Sequence, residues 1–186
     1  MVVLGIDPGS RRCGYGIVAR SGGQLSRVDS GVLVPGPHPT AERLGRLFEA
    51  LSALMERRTV DAVAIETAFC GRSPRSALAL GQARGVALAA AARAGLAVFE
   101  YAPAEVKRSF TGNGRAEKAQ MVRTARTLFG VEPHLADEAD ALAIAVCHLA
   151  RSPVQLAAAK GTRQAVTASA RSGLLRRAVR SFRENP

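Results

Sequence analysis

The chain has 186 residues, 47% of them hydrophobic, and a formal net charge of +11. That length and apolar content suit one cored domain, and the positive balance points to a polyanionic partner, nucleic acid first. Cys13, Cys70 and Cys147 are odd in number and far apart, which excludes a disulfide framework and a zinc spacing, and no apolar run reaches membrane-spanning length.

The N-terminus enters a strand with no basic leader, so no signal peptide is expected. The scattered thiols suit a reducing compartment, and a cytoplasmic location is expected. Val2 to Ile6 is apolar and partly β-branched and predicts a buried strand, ended by Asp7 and the Pro8-Gly9 turn. Cys13 to Ala19 and Leu25 to Val34 predict two more strands, joined at Ser21-Gly22-Gly23 into an antiparallel meander. Thr40 opens a helix to about Arg58, with Leu44, Leu47, Leu51, Leu54 and Met55 on one face. Ala62 to Ile65 is a short buried strand that finishes on Glu66.

The loop that follows carries Phe69, Arg72 and Arg75 around Pro74. Ser76 to Ala94 predicts a helix apolar on most faces, which belongs in a core or at a subunit interface. A fifth strand over 97–101 and a short helix over 103–110 come next. The turn Thr111-Gly112-Asn113-Gly114 leads to an amphipathic helix over 116–129, and a last helix is predicted over 137–150. From about Arg151 onward the chain is rich in Ala, Ser and Arg, with Glu184 as its only acid. It reads as a basic, disordered C-terminal tail over 151–186 with weak helical tendency near Leu174 to Phe182. Meander first, then strands alternating with helices, argues a mixed sheet with helices packed on it. The first strand would lie centrally, beside the strand that ends on Glu66.

Four acids stand in costly places. Asp7 and Glu66 end apolar strands, and Asp137 and Asp140 share one face of the last helix. If they converge they repel one another and call for cations. All-oxygen donors select Mg²⁺ or Mn²⁺ over zinc, and two such ions can clamp the attacking and leaving oxygens of a phosphodiester. Each acid alone has a plainer reading. Asp7 caps its turn, Glu66 pairs with an arginine, and Asp137 is an N-cap with an acid three residues on. Lys107, Arg108, Arg115, Lys118, Arg123 and Arg126 have only Glu117 among them. They form either a solvated face or, with the glycine turn beside them, a DNA-contacting one. His134 reads as a loop residue and His148 as structural.

On these residues the sequence resembles the RuvC family of bacterial crossover (Holliday) junction endodeoxyribonucleases. The resemblance runs from Gly5-Ile6-Asp7-Pro8-Gly9-Ser10 with Gly14-Tyr15-Gly16 through Ala64-Ile65-Glu66 with Phe69. It continues through Ser76-Ala77-Leu78 with Leu80 to Val86, Val106-Lys107 to Gly114, Ala116-Glu117-Lys118 and Asp137 to Ala145. It covers residues 1 to about 150, the expected nuclease domain, and leaves 151–186 uncovered.

The resemblance implies an RNase H-like α/β fold, a mixed five-stranded sheet with helices on both faces. It implies a homodimer whose two sites nick opposed strands of a four-way DNA junction, leaving 5'-phosphate and 3'-hydroxyl ends. Asp7, Glu66, Asp137 and Asp140 would be the catalytic ligands of two Mg²⁺ or Mn²⁺ ions per site. Lys107 and Lys118 would contact DNA near the scissile phosphate, and Phe69 would stack on or wedge into junction bases. Arg72, Arg75 and Arg115 are further candidate DNA contacts, and a branch-migration helicase complex is the expected protein partner. Two other readings compete. The actin and sugar-kinase superfamily needs a second, duplicated domain for which this chain is too short. A non-catalytic junction-binding module would have lost an acid, and none is missing.

Overall fold

The structure, a computed structural model, describes residues 1–57, 59–67, 73–131 and 136–167, apart from the side chains at 57 and beyond 151. The chain divides into two units, Met1–Ala150 and Arg151–Pro186. In the second, the described residues 151–167 are helical.

The order is β1 (Val2–Asp7), β2 (Cys13–Ser21), β3 (Gln24–Leu33), α1 (Thr40–Arg57), β4 (Ala62–Glu66), α2 (Pro74–Arg93), β5 (Ala97–Tyr101), α3 (Pro103–Thr111), α4 (Lys118–Phe129) and α5 (Ala136–Thr167). The strands form one sheet in the order β3-β2-β1-β4-β5. β1 and β2 pair antiparallel, as do β2 and β3, whereas β4 runs parallel to β1 and β5 parallel to β4. The expected central placement of β1 beside β4 therefore holds. Several element boundaries differ from expectation; α2, for one, starts at Pro74 and not at Ser76. α4 starts at Lys118 because Glu117 is still extended, and α5 runs past Ala150 to Thr167.

Strand side chains alternate between faces, and this sheet is covered on both. Leu4, Ile6, Ile17, Val63 and Ile65 pack with Leu47 and Leu51 of α1 and Ala83, Ala87 and Ala90 of α2. Val3, Val18 and Ala64 face the other way, onto Val106 and Phe110 of α3, Met121 and Ala125 of α4, and Leu142 and Ile144 of α5. Each fully buried Leu or Ile contributes roughly 1.5–3 kcal/mol, so both layers are anchored.

On the second face the sheet is floored with small residues. Gly5 pairs with Gly16 across the ladder and with Ala64 on the other side. A Cβ on Gly5 would stand 2.1 Å from the carbonyl oxygen of Ala141, and one on Gly16 would stand 2.8 Å from the Leu142 nitrogen. The α5 backbone thus lies directly against the strands, at a depth that no side chain would permit. α5 supplies its own small residues to this contact, Ala141 and Ala145, both fully buried.

Candidate active site

Side-chain alternation decides where the strand acids point. Val3, Gly5 and Asp7 share one face of β1, and Ala62, Ala64 and Glu66 share the same face of β4. Because the two strands are parallel neighbours, both acids leave the sheet at its same edge, on the α5 side. α5 begins there. Asp137 lies inside its first turn, so it is not the N-cap that one reading of the sequence allowed. Asp140 follows one turn later on the same side.

Glu138 is directed elsewhere. It is buried and accepts a 2.6 Å hydrogen bond from the Ser30 hydroxyl of β3. The acid between the two aspartates thus ties α5 to the sheet and leaves Asp137 and Asp140 to the cleft.

The cleft has a volume of about 750 Å³ and is lined by all four acids together with Lys107 and Lys118. Burial pushes the Asp7 carboxyl up to about 7, and the charges of Asp140, Glu66 and Asp137 push the same way against the pull of Lys118. Asp140 is raised as well, mainly by burial, with Lys118 and Lys107 opposing and Asp137 adding to the rise. The two lysines are therefore the local counterions. Lys107 sits on α3 and Lys118 opens α4, and a tight turn joins the two helices. Gly112 ends α3 with φ 78°, in the left-handed region that glycine tolerates. The Asn113 side-chain oxygen accepts from the Arg115 backbone N–H at 3.0 Å.

This donor set fits a divalent cation. Four oxygen-bearing acids at one edge, one of them driven towards protonation by its neighbours, are what a hard cation would relieve. Among the described residues no group of three or more His, Cys, Asp or Glu is drawn together around one ion's position. Cys13, near Asp7 and Asp137, is no nucleophile, since burial pushes its thiol up to about 12.

The other expected contacts are placed differently. Arg75 and Arg115 are exposed and are not part of the cleft lining. Phe69, Arg72 and His134 lie outside the described residues. His148 is fully buried, stacked 4.4 Å from the Phe99 ring, with Nδ1 2.7 Å from the Tyr101 hydroxyl. Sequence reasoning passed over Arg11, Arg12 and Arg84, which line the cleft. For the first two the available signal was a basic pair directly after a strand-ending Pro-Gly-Ser turn.

The sequence model of the family described as crossover junction endodeoxyribonuclease RuvC matches residues 3–148. The crossover junction endodeoxyribonuclease RuvC of Anaeromyxobacter sp. (strain K) is 67% identical over 165 residues, 89% of this chain and 89% of that protein. Among solved structures, Thermus thermophilus RuvC in complex with a Holliday junction substrate superposes with a TM-score of 0.74 at 37% identity. That match covers 80% of this chain and 93% of the other. The yeast mitochondrial Holliday junction resolvase shares the fold, with a TM-score of 0.61 at 16% identity over 87% of this chain and 82% of its own. No helix among the described residues is long and apolar enough to cross a membrane. The fold is the RNase H-like one, and the chain belongs to the RuvC family of crossover junction endodeoxyribonucleases.

Proposed function

We propose that this chain resolves four-way DNA junctions by metal-assisted phosphodiester hydrolysis, with Asp7, Glu66, Asp137 and Asp140 as the ligands of two Mg²⁺ or Mn²⁺ ions. The observation that carries the reading is the placement of two strand-end acids and two acids from the start of α5 along one cleft beside two lysines. When bound, the ions supply a nucleophilic water at neutral pH and neutralise charge on the oxygens of the scissile group. The protein's part is positional. The four carboxylates are placed by a sheet edge and by a helix seated against glycine. Lys107 and Lys118 oppose the carboxylate repulsion and meet the incoming phosphate. The products would carry 5'-phosphate and 3'-hydroxyl ends.

Two opposed strands require two sites, and hence a homodimer. An exposed stripe on α2 supports this: Leu78, 65% exposed, is followed at helical spacing by the exposed Gly81, Gln82, Gly85 and Ala89. A face of small residues beside one exposed leucine suits an isologous contact. Phe69 would stack on a junction base from the loop after Glu66, with Arg72, Arg75 and Arg115 along the backbone. The basic segment 151–186 would add phosphate contacts beyond the nuclease domain 1–150. A branch-migration helicase complex would deliver the substrate in the cytoplasm.

The deciding experiment offers a synthetic four-way junction and a plain duplex of the same sequence, with Mg²⁺, with Mn²⁺ and with chelator. Paired, symmetric nicks in the junction alone, dependent on metal, are expected. Equal cutting of both substrates, or cutting in chelator, would overturn the reading.

A further inference from the structure

Two arginines at the cleft have no role in the chemistry above. Arg11 and Arg12 follow the β1 turn, both are exposed, and both line the cleft. Neither has an ion-pair partner among the described residues. Neither is among the charges that shift Asp7 or Asp140, which answer to Lys118 and Lys107, so both guanidiniums are left for an anion that enters the cleft.

The loop that carries them is held in place. Arg43 of α1 is half-buried and donates from Nε to the Ser10 carbonyl at 3.2 Å. Its Nη1 donates to the His38 carbonyl at 2.7 Å, and its Nη2 to the Thr40 hydroxyl at 3.3 Å. One guanidinium thus links the catalytic-strand loop to the segment entering α1. The turn itself is close-packed, since a Cβ on Gly9 would stand 2.2 Å from the Arg12 carbonyl oxygen. Pro8 is buried beneath it. The backbone that presents the two arginines is therefore ordered on folding, and binding has only their side-chain rotamers left to fix.

The two sets of cations belong to different layers. Arg43 ties the Arg11–Arg12 loop to α1, which packs on the Leu4 and Ile17 face of the sheet. Lys107 and Lys118 belong to α3 and α4, which pack on the opposite face. The acids lie at the sheet edge between the two layers.

We propose that Arg11 and Arg12 form a second phosphate-binding wall of the cleft, held in position by Arg43, so that the DNA backbone runs between them and the two lysines. This rests on the nuclease reading above and extends it to residues that reading does not use. Arg11 and Arg12 are binding residues, and Arg43 is a positioning residue that touches no DNA.

The test measures binding of a labelled four-way junction in chelator over a range of salt concentrations. Each phosphate contact contributes about 0.9 to the slope of log affinity against log salt. The double variant Arg11→Gln, Arg12→Gln should therefore shallow the slope by about 1.8 and weaken binding at low salt. Arg43→Gln should also weaken binding and shallow the slope, and should add little to the double variant, because its effect passes through the same two side chains. Should Arg43→Gln not fold, Arg43→Lys takes its place, since a single ammonium cannot make the three-way link. An unchanged slope in the double variant overturns the phosphate wall. A full further loss from the Arg43 change on that background overturns its positioning role. Failure of the nuclease reading is distinguishable, because the unsubstituted protein would then neither prefer nor cut the junction.

Discussion

The carbonyl oxygen of Asp137 lies 2.0 Å from the point where a Cβ on Gly14 would stand. Gly14 is also the ladder partner of Asp7. With Gly5 and Gly16, Gly14 thus sets how closely α5 approaches the strands, and at this end it bears on the distance between a strand acid and a helix acid. Gly14→Ala should push the first turn of α5 outward by more than 1 Å to reach ordinary contact. A displacement of that size costs cleavage about 10²-fold, and the overpacking costs about 1–3 kcal/mol of stability. Single-turnover cleavage and urea unfolding check this. Turnover within a few-fold of wild type would mean that the carboxylate geometry tolerates a shift the packing argument forbids.

Asp7→Asn should abolish cleavage and leave junction binding in place, since it removes a ligand and one negative charge from the path of DNA. It should also stabilise the metal-free protein, in a pH-dependent way. The Asp7 carboxyl is raised to about 7, above its unfolded value of about 3.9. Its contribution to stability is therefore fully present below about pH 4 and lost as pH rises through 7. In chelator, the gain in melting temperature from Asp7→Asn should be larger at pH 8 than at pH 5. A gain independent of pH would show that the carboxyl is not held out of its ordinary range.

His148 acts in the opposite sense. Burial lowers it to about 4, and no partner for its Nε2 exists among the described residues. The unfolded chain takes up a proton near pH 6.5 that the folded chain refuses until about 4. Stability from this group is thus complete above about 6.5 and declines as pH falls towards 4, by about 3 kcal/mol in all. His148→Phe should remove that decline. The comparison must be variant against wild type, because the cleft carboxylates push the other way over the same range. An identical difference in unfolding free energy at pH 7.5 and 4.5 would contradict the assignment.

Glu138 and Asp137 are neighbours with opposite roles, which substitution should separate. Glu138→Ala breaks the bond from Ser30 and should cost about 1.5–3 kcal/mol, the range for a hydrogen bond to a charged group. It should leave metal-dependent cleavage within a few-fold. Asp137→Asn should do the reverse. Loss of cleavage in a folded Glu138→Ala protein would place Glu138 in the site.

The α2 stripe gives the simplest prediction. Leu78→Glu puts a charge at the centre of the proposed two-fold contact, where desolvation disfavours it. Sedimentation at micromolar concentration should show wild-type dimer and variant monomer, and the variant should lose paired nicking before it loses single nicks. A monomeric wild type would remove the dimer from the account.

Much of this molecule was legible in local sequence, for a local reason. Strand and helix assignments depend on local pattern, the short apolar and partly β-branched run of Val2 to Ile6 and the 3.6-residue spacing of Leu44 to Met55. Asp7 and Glu66 were conspicuous because a carboxylate at the end of an apolar strand is costly wherever the chain goes next, and Asp137 and Asp140 because their spacing puts them on one helix face. What required the tertiary structure was every relation between residues distant in sequence. The run from Asp137 to Asp140 contains three acids, and nothing in it says that the middle one turns to Ser30, more than a hundred positions away. Gly14 is, locally, only a glycine at the start of a strand, and it proves to be one of the seats of α5. Arg11 and Arg12 were passed over in the sequence, and their place at the cleft shows only once Arg43 is seen to hold their loop. Periodicity is a property of neighbours along the chain. Close approach, and the charge balance of a cleft, exist only once helices from both faces of the sheet are in place.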